Sequence, residues 1–416
     1  MIAAASQACS PPVGPGSPST STPPASSKAT APPFARVAAA SGLPRAVTLT
    51  ETRPPDFDVS ELALPAGCEV TDNTDTLVAY AQNTLQAYPS TVFGLVDLAT
   101  GERRIVLPQP VGHERSFDAF TPMLSDDWLA WEEVSPGEAN AMRSAQWRLY
   151  AAPIDRAQLT IGQPVLVDEG TTDYKLRPHY GVEGSLLCWS ANVVSGTHRE
   201  PTTTSGAILT LDLATGERRT LRRGDRLVPA LKTSGPNVVA VEGPDVRTPS
   251  SNCRILVIDS RSGAVVRTQD TGSRDRPAHF ADFANDWVAW TPFAAPGSQW
   301  PDLYVGLPDG SVALAGTASI DPTFFGRYLA YESIGASSTT GGSRSVSREI
   351  WGVDTARPDE RFRILRTSGD EGWWQTSRAG RTSSTLVIWN DLGPWVEDPA
   401  QAGTLVRVYR ARAEPQ

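Results

Sequence analysis

The side chains best suited to grip a charged ligand recur around two prolines. Arg177 precedes Pro178 and His179 follows it; Arg276 precedes Pro277 and His279 stands two residues after it. A guanidinium fork takes a carboxylate through two parallel charge-assisted hydrogen bonds. Two such forks brought to one place imply an acidic ligand, such as a uronate or a peptide carboxylate. They equally allow ion pairs with Asp118, Asp275 or Asp321 that staple the fold and bind nothing. Phe120 and the pair Trp373-Trp374 add flat apolar surface. Such surface stacks on a sugar, an aromatic ligand or a partner's side chain, or fills a gap between packed units. Imidazole is a common metal ligand, but an isolated His pair such as His179 and His279 is more often structural. No metal site and no cofactor is assigned.

Catalytic signatures are missing. The chain has no Gly-x-Ser-x-Gly elbow, no His-Glu-x-x-His and no phosphate-cradling glycine loop. Four histidines in 416 residues set a low ceiling on metal chemistry, and no catalytic residue is assigned. The net charge of −9 and the lack of a basic stripe argue against nucleic acid as a partner.

The elements that must position these groups are repeats. Asp97-Leu-Ala-Thr-Gly-Glu-Arg-Arg104 recurs letter for letter as Asp212 to Arg219, each copy between two β-prone runs. A Thr-Gly between apolar runs predicts a hairpin, because Gly takes the positive φ that the turn needs and the Asp caps nearby backbone NH groups. Looser copies stand at Asp259, Asp309 and Asp354. Ahead of the hairpins come strands ending at Tyr80, Trp131, Trp189, Val241, Trp290, Tyr331 and Trp389, roughly 40–60 residues apart, a period typical of four-stranded propeller blades. Prolines 122, 178, 229, 277 and 322 lead into the blades, where an innermost strand has no need of the missing NH. The reading is all-β: a β-propeller of seven four-stranded blades, or six with one degenerate unit. The last repeat lacks its outer strand, and Arg45 to Thr50 is expected to supply it and close the ring. In this register Trp131, Trp189, Trp290 and Trp389 should all be buried between blades.

The pattern of a leading proline, an Ile-Ala-Phe-like strand and an Asp-x-x-Thr-Gly-Glu hairpin resembles the TolB-like β-propellers over about residues 62–412. The resemblance implies a propeller and names no ligand. The family's Ser-Pro-Asp-Gly turn is replaced here by Ser125-Asp126-Asp127 and its counterparts. Ser368 to Trp374 superficially resembles the Asp-box of sialidase-type propellers, but its aromatic falls one residue early, and the match is read as coincidence.

Two domains of unequal kind follow. Residues 1–44 are a Ser/Pro/Thr/Ala-rich segment that cannot bury enough apolar surface to order itself; residues 45–416 are the propeller. Ala8-Cys9 ahead of that segment resembles the end of a bacterial lipoprotein signal with Cys9 as the lipidated residue, although a basic n-region is missing. The alternatives are an exported, envelope or extracellular protein, with membrane contact only through that anchor, or a plain unstructured N-terminus. Cys68, Cys188 and Cys253 are read as buried free thiols, with a Cys188–Cys253 bridge as the alternative. The connections between second and third strands are long and rich in Gly and Ser, notably Ser190 to Gly206 and Glu332 to Arg348. They share a face with the links between blades, and variable loops on a rigid scaffold are where binding concentrates. The expected function is non-catalytic binding of a protein, peptide or glycan at that face by a monomer. The competing expectation is a polysaccharide-acting lyase or hydrolase with its site in the central channel.

Overall fold

The computed structural model describes residues 50–83, 91–115, 117–136, 145–173, 175–197, 200–243, 252–273, 277–292, 300–340, 343–357, 360–366, 374–376, 383–391 and 403–412. Within them the chain forms seven sheets in sequence order, so the fold is a seven-bladed β-propeller. It is the fold that the TolB-like resemblance implies. Blade one is built from Cys68–Asn73, Leu77–Asn83, Thr91–Asp97 and Arg103–Leu107. Blades two to six repeat that antiparallel meander, and blade seven takes its outer strand from the N-terminal region.

The hairpins form for the reason their sequence suggests. Asp97 Oδ1 accepts from the backbone NH of Ala99 and Thr100 at 2.8 and 2.9 Å, and Gly101 follows at φ 72°. Asp212 repeats the cap on Ala214 and Thr215, with Gly216 at φ 77°. Blade two uses the same device through Asp155, but there Leu159 takes the left-handed position at φ 49°, a conformation costly for a side chain with a Cβ. Pro122, Pro229 and Pro322 sit at irregularities in the first strand, whereas Pro178 and Pro277 precede it. In blades two and six the ladder shifts between Phe120 and Met123 and between Ile320 and Thr323, around Pro122 and Pro322. Thr121 and Asp321, just before them, have φ of 49° and 52°.

Apolar side chains pack in seven clusters, one at each interface between consecutive blades. Trp131, Trp189, Trp290 and Trp389 are all buried there. The first three face the preceding blade, whereas Trp389 packs with Val70, Val78 and Tyr80 of blade one, the blade that follows it. The shared register expected of the four therefore holds for three. Cys68, Cys188 and Cys253 are buried free thiols.

Closure uses an N-terminal strand, but a later one than Arg45 to Thr50. Phe57–Leu64 pairs antiparallel along its whole length with Thr404–Ala411 and becomes the outer strand of blade seven. Phe57 plants its ring among Phe325, Tyr328 and Phe362 of blade six and Tyr409 of blade seven, at centroid distances of 5.4 to 6.1 Å. Thr50, the one residue of the expected strand that is described, belongs to Thr50–Thr52. That strand lies parallel to the outer strand of blade six.

Candidate functional site

First-to-second and third-to-fourth turns lie on one face of the ring. The opposite face, called the link face here, carries the second-to-third connections and the links between blades. Two of those connections are continuous hairpins. In blade three the strands Leu186–Thr197 and Glu200–Asp212 stay paired out to Thr197 and Glu200. In blade six Tyr328–Thr340 and Ser343–Asp354 stay paired out to Thr340 and Ser343. The second strand of blade four, Asn237–Glu242, stops after six residues. At about 3.3 Å per residue the long hairpins extend roughly 20 Å further along their strands.

Three glutamates occupy one equivalent ladder position at the base of this face. Glu132, Glu242 and Glu332 stand opposite Phe120, Leu227 and Ile320, each two residues before a leading proline. All three are buried, a position that a carboxylate tolerates only with a partner. Glu132 holds the Arg177 fork through Nε at 2.8 Å and Nη2 at 2.5 Å, and the Arg177 guanidinium lies 5.2 Å over the Phe120 ring. Burial lowers the Arg177 pKa, but the Glu132 carboxylate outweighs it and the net shift is upward. Glu332 takes Arg348 Nη1 at 2.7 Å and the backbone NH of Thr376, from blade seven, at 2.8 Å. Burial raises Glu332 to about 7, Arg348 opposes that shift and nearby Asp321 adds to it.

Glu242 differs. Three guanidiniums converge on it: Arg222 from blade three at 2.9 Å, Arg226 from the link at 3.3 Å and Arg254 from the third strand of blade four at 2.8 Å. Its pKa is lowered, because these three outweigh the cost of burial. Their side chains are 33%, 28% and 37% exposed, against 8% for Arg177 and 6% for Arg348.

The residues singled out in the sequence fall as follows. Arg177 and Phe120 come together, with Arg177 committed to Glu132. The Tyr180 hydroxyl donates to the carbonyls of Phe120 and Thr121. His179 donates its backbone NH to Ser190 Oγ, and His279 packs its ring on Phe280 at 4.1 Å. Asp118 opens the first strand of blade two, 6% exposed, with Oδ1 buried and without a hydrogen-bond partner. Burial alone raises its carboxyl to about 6. Asp321 stands in the first strand of blade six beside Glu332. Trp374 opens the short first strand of blade seven, whereas Asp275, Arg276 and Trp373 lie outside the described residues. Among the described residues no three of His, Cys, Asp and Glu converge as a metal would require. The Glu242 cluster has no local motif in the sequence. Its one signal is that an acid follows the last strand residue in Trp131-Glu132, Val241-Glu242 and Tyr331-Glu332.

No protein-family model matches the chain. No curated protein matches it either. Solved propellers are similar at low identity. Oligogalacturonate lyase from Vibrio parahaemolyticus is 8% identical, with a TM-score of 0.46, over 86% of this chain and 99% of that one. TolB from Acinetobacter baumannii is 14% identical, with a TM-score of 0.36, over 86% and 98%. Pyrococcus horikoshii acylaminoacyl peptidase is 14% identical, with a TM-score of 0.44, over 70% of this chain and 46% of its own, so the chain spans less than half of that enzyme. Scores and identities of this size carry no argument about activity; the sheet topology alone establishes the propeller.

Proposed function

We propose that this chain is a non-catalytic binding protein that takes a protein, peptide or glycan on its link face, including the channel mouth near Asp118, Phe120, Arg177, His179, His279 and Asp321. The observation that carries the reading is the pair of extended hairpins on blades three and six. Strands carried well past the end of the blade core contribute little to that core, and they give the rigid ring two walls against which a ligand is gripped. The carboxyl groups beneath are largely committed: Glu132 to Arg177, and Glu332 to Arg348 and Thr376. An enzyme needs titratable groups left free to move protons.

The test is a screen of the full chain against peptide and glycan arrays, followed by a variant in which Val194–Thr203 is replaced by Asn-Gly to shorten the blade-three hairpin. Lost binding at an unchanged melting temperature supports the reading; full binding by the shortened variant overturns it. The competing reading, a polysaccharide-acting enzyme, is favoured by Asp118, whose raised pKa suits a general acid. Depolymerisation of a polysaccharide by the parent and its loss in Asp118→Asn would install that reading instead. Export, with Cys9 as a lipid anchor, belongs to the same proposal, and a lipid mass increment lost in Cys9→Ser tests it.

A further inference from the structure

The same ladder position is balanced in two blades and over-supplied in a third. Glu132 and Glu332 each meet one guanidinium, and both partners of each pair are buried. Glu242 meets three, which leaves two positive charges beyond what its carboxylate offsets. The hydrogen bonds to Glu242 use Nε and Nη2 of Arg222 and one nitrogen each of Arg226 and Arg254. Most of the fifteen or so N–H groups that three Arg present therefore point elsewhere. Arg222, Arg226 and Arg254 make no further ion pair among the described residues. Asp225, in the same turn, and Asp270, opposite Arg254 in the ladder, are not bonded to the cluster; Asp270 takes Asn252 and the Gly272 NH instead.

A staple needs one fork, and three like charges on one acid repel each other, which costs stability unless an anion shares the site. The position fits such an anion. Arg222 is laddered to Ile208 at the foot of the blade-three hairpin, Arg226 lies in the link, and Arg254 opens a third strand, so all three meet on the link face. Their partial exposure leaves the forks reachable from solvent.

We infer that Arg222, Arg226 and Arg254, braced by Glu242, form a binding site for a compact oxyanion of charge near −2, a phosphate group or two adjacent carboxylates. Glu242 is a positioning residue: it gathers the forks and the ligand neutralises what is left over. The inference rests on the link face being the binding surface and names the chemistry that this surface selects.

Isothermal titration of the full chain with inorganic phosphate and, separately, with malonate tests it and tells the two anion types apart. The parent should bind at least one of them, and Arg226→Gln should weaken that binding at least tenfold. Arg104→Gln, an exposed Arg on blade one, should leave it unchanged. The melting temperature gives a readout that a staple would move in the opposite sense. With no anion present, Arg226→Gln should melt at or above the parent, because it relieves repulsion while two Arg still satisfy Glu242. The idea is overturned if neither anion binds the parent, if Arg104→Gln weakens binding as much as Arg226→Gln, or if Arg226→Gln melts several degrees lower. Anion binding that survives in the shortened-hairpin variant, with no array ligand found, would uphold this site and sink the broader function. An array ligand indifferent to Arg226→Gln would do the reverse.

Discussion

Replacing Phe57 by alanine should loosen the ring at its seam. The ring of Phe57 is half-buried and touches three aromatics of blade six and one of blade seven. A fully buried Phe→Ala change costs roughly 3–5 kcal/mol in lost transfer energy and residual cavity. Partial exposure puts Phe57 at the low end, about 3 kcal/mol. The edge-on contacts with Tyr328 and Tyr409, at 76° and 87°, supply a good part of that at about 0.5–1.5 kcal/mol each. Urea unfolding followed by tryptophan fluorescence measures the loss. Val59→Ala is the control, because Val59 lies on the same strand but is 52% exposed, so its truncation should stay within about 0.5 kcal/mol of the parent. Both variants keep the ladder with Thr404–Ala411. If their urea midpoints coincide, the closing strand is held by backbone bonds alone, and the aromatic seam contributes nothing.

Three further outcomes follow from the packing and the buried charges. Trp290→Ala, at the interface of blades four and five, should lower stability by about 3–5 kcal/mol in the same urea assay. Asp118→Asn should change the pH profile: its carboxyl is raised from 3.8 to about 6, so the folded state holds a proton that the unfolded chain releases. The stability that Asp118 contributes is then fully present below about pH 4 and is lost as pH rises through 6, and the amide should remove that part of the slope and gain about 1–3 kcal/mol at pH 8. An Asn variant no better than the parent at pH 8 would show that Asp118 is not desolvated. Arg348→Met should cost about 3–5 kcal/mol by stranding Glu332, and Glu332→Gln added to it should restore most of the loss; a double variant as unstable as the single one would contradict the pairing.

What the sequence made legible was whatever repeats. The Asp-capped turns, the seven aromatic- or apolar-ended strands and the buried tryptophans recur because every blade solves the same packing problem. The closing strand escaped because an outer strand is mostly solvated: Phe57–Leu64 buries firmly only Leu64, so its alternation is weak beside the β-prone Arg45 to Thr50. The long hairpins read as loops because Ser190 to Gly206 and Glu332 to Arg348 are rich in Ser, Thr and Gly, without the alternation that a core imposes. The Arg222–Arg226–Glu242–Arg254 cluster was invisible because its members come from two blades and a link. An acid after the last strand residue marks Glu132, Glu242 and Glu332 in the sequence, but it takes the ladder positions counted from each leading proline to show that the three are equivalent.

The seam also sets the order in which the chain must assemble. Glu61 and its ion-pair partner Arg407 are 346 residues apart. At roughly 5–20 residues per second, the ribosome delivers the partner strand about 20–70 seconds after the closing strand has been made. During that interval the first blades fold with an unpaired strand trailing from them, and the last blade, once made, shows a bare edge. Two neighbouring nascent chains would each carry the piece that the other lacks. Crowded synthesis should therefore favour exchanged dimers, in which the strand from one copy completes the ring of the next.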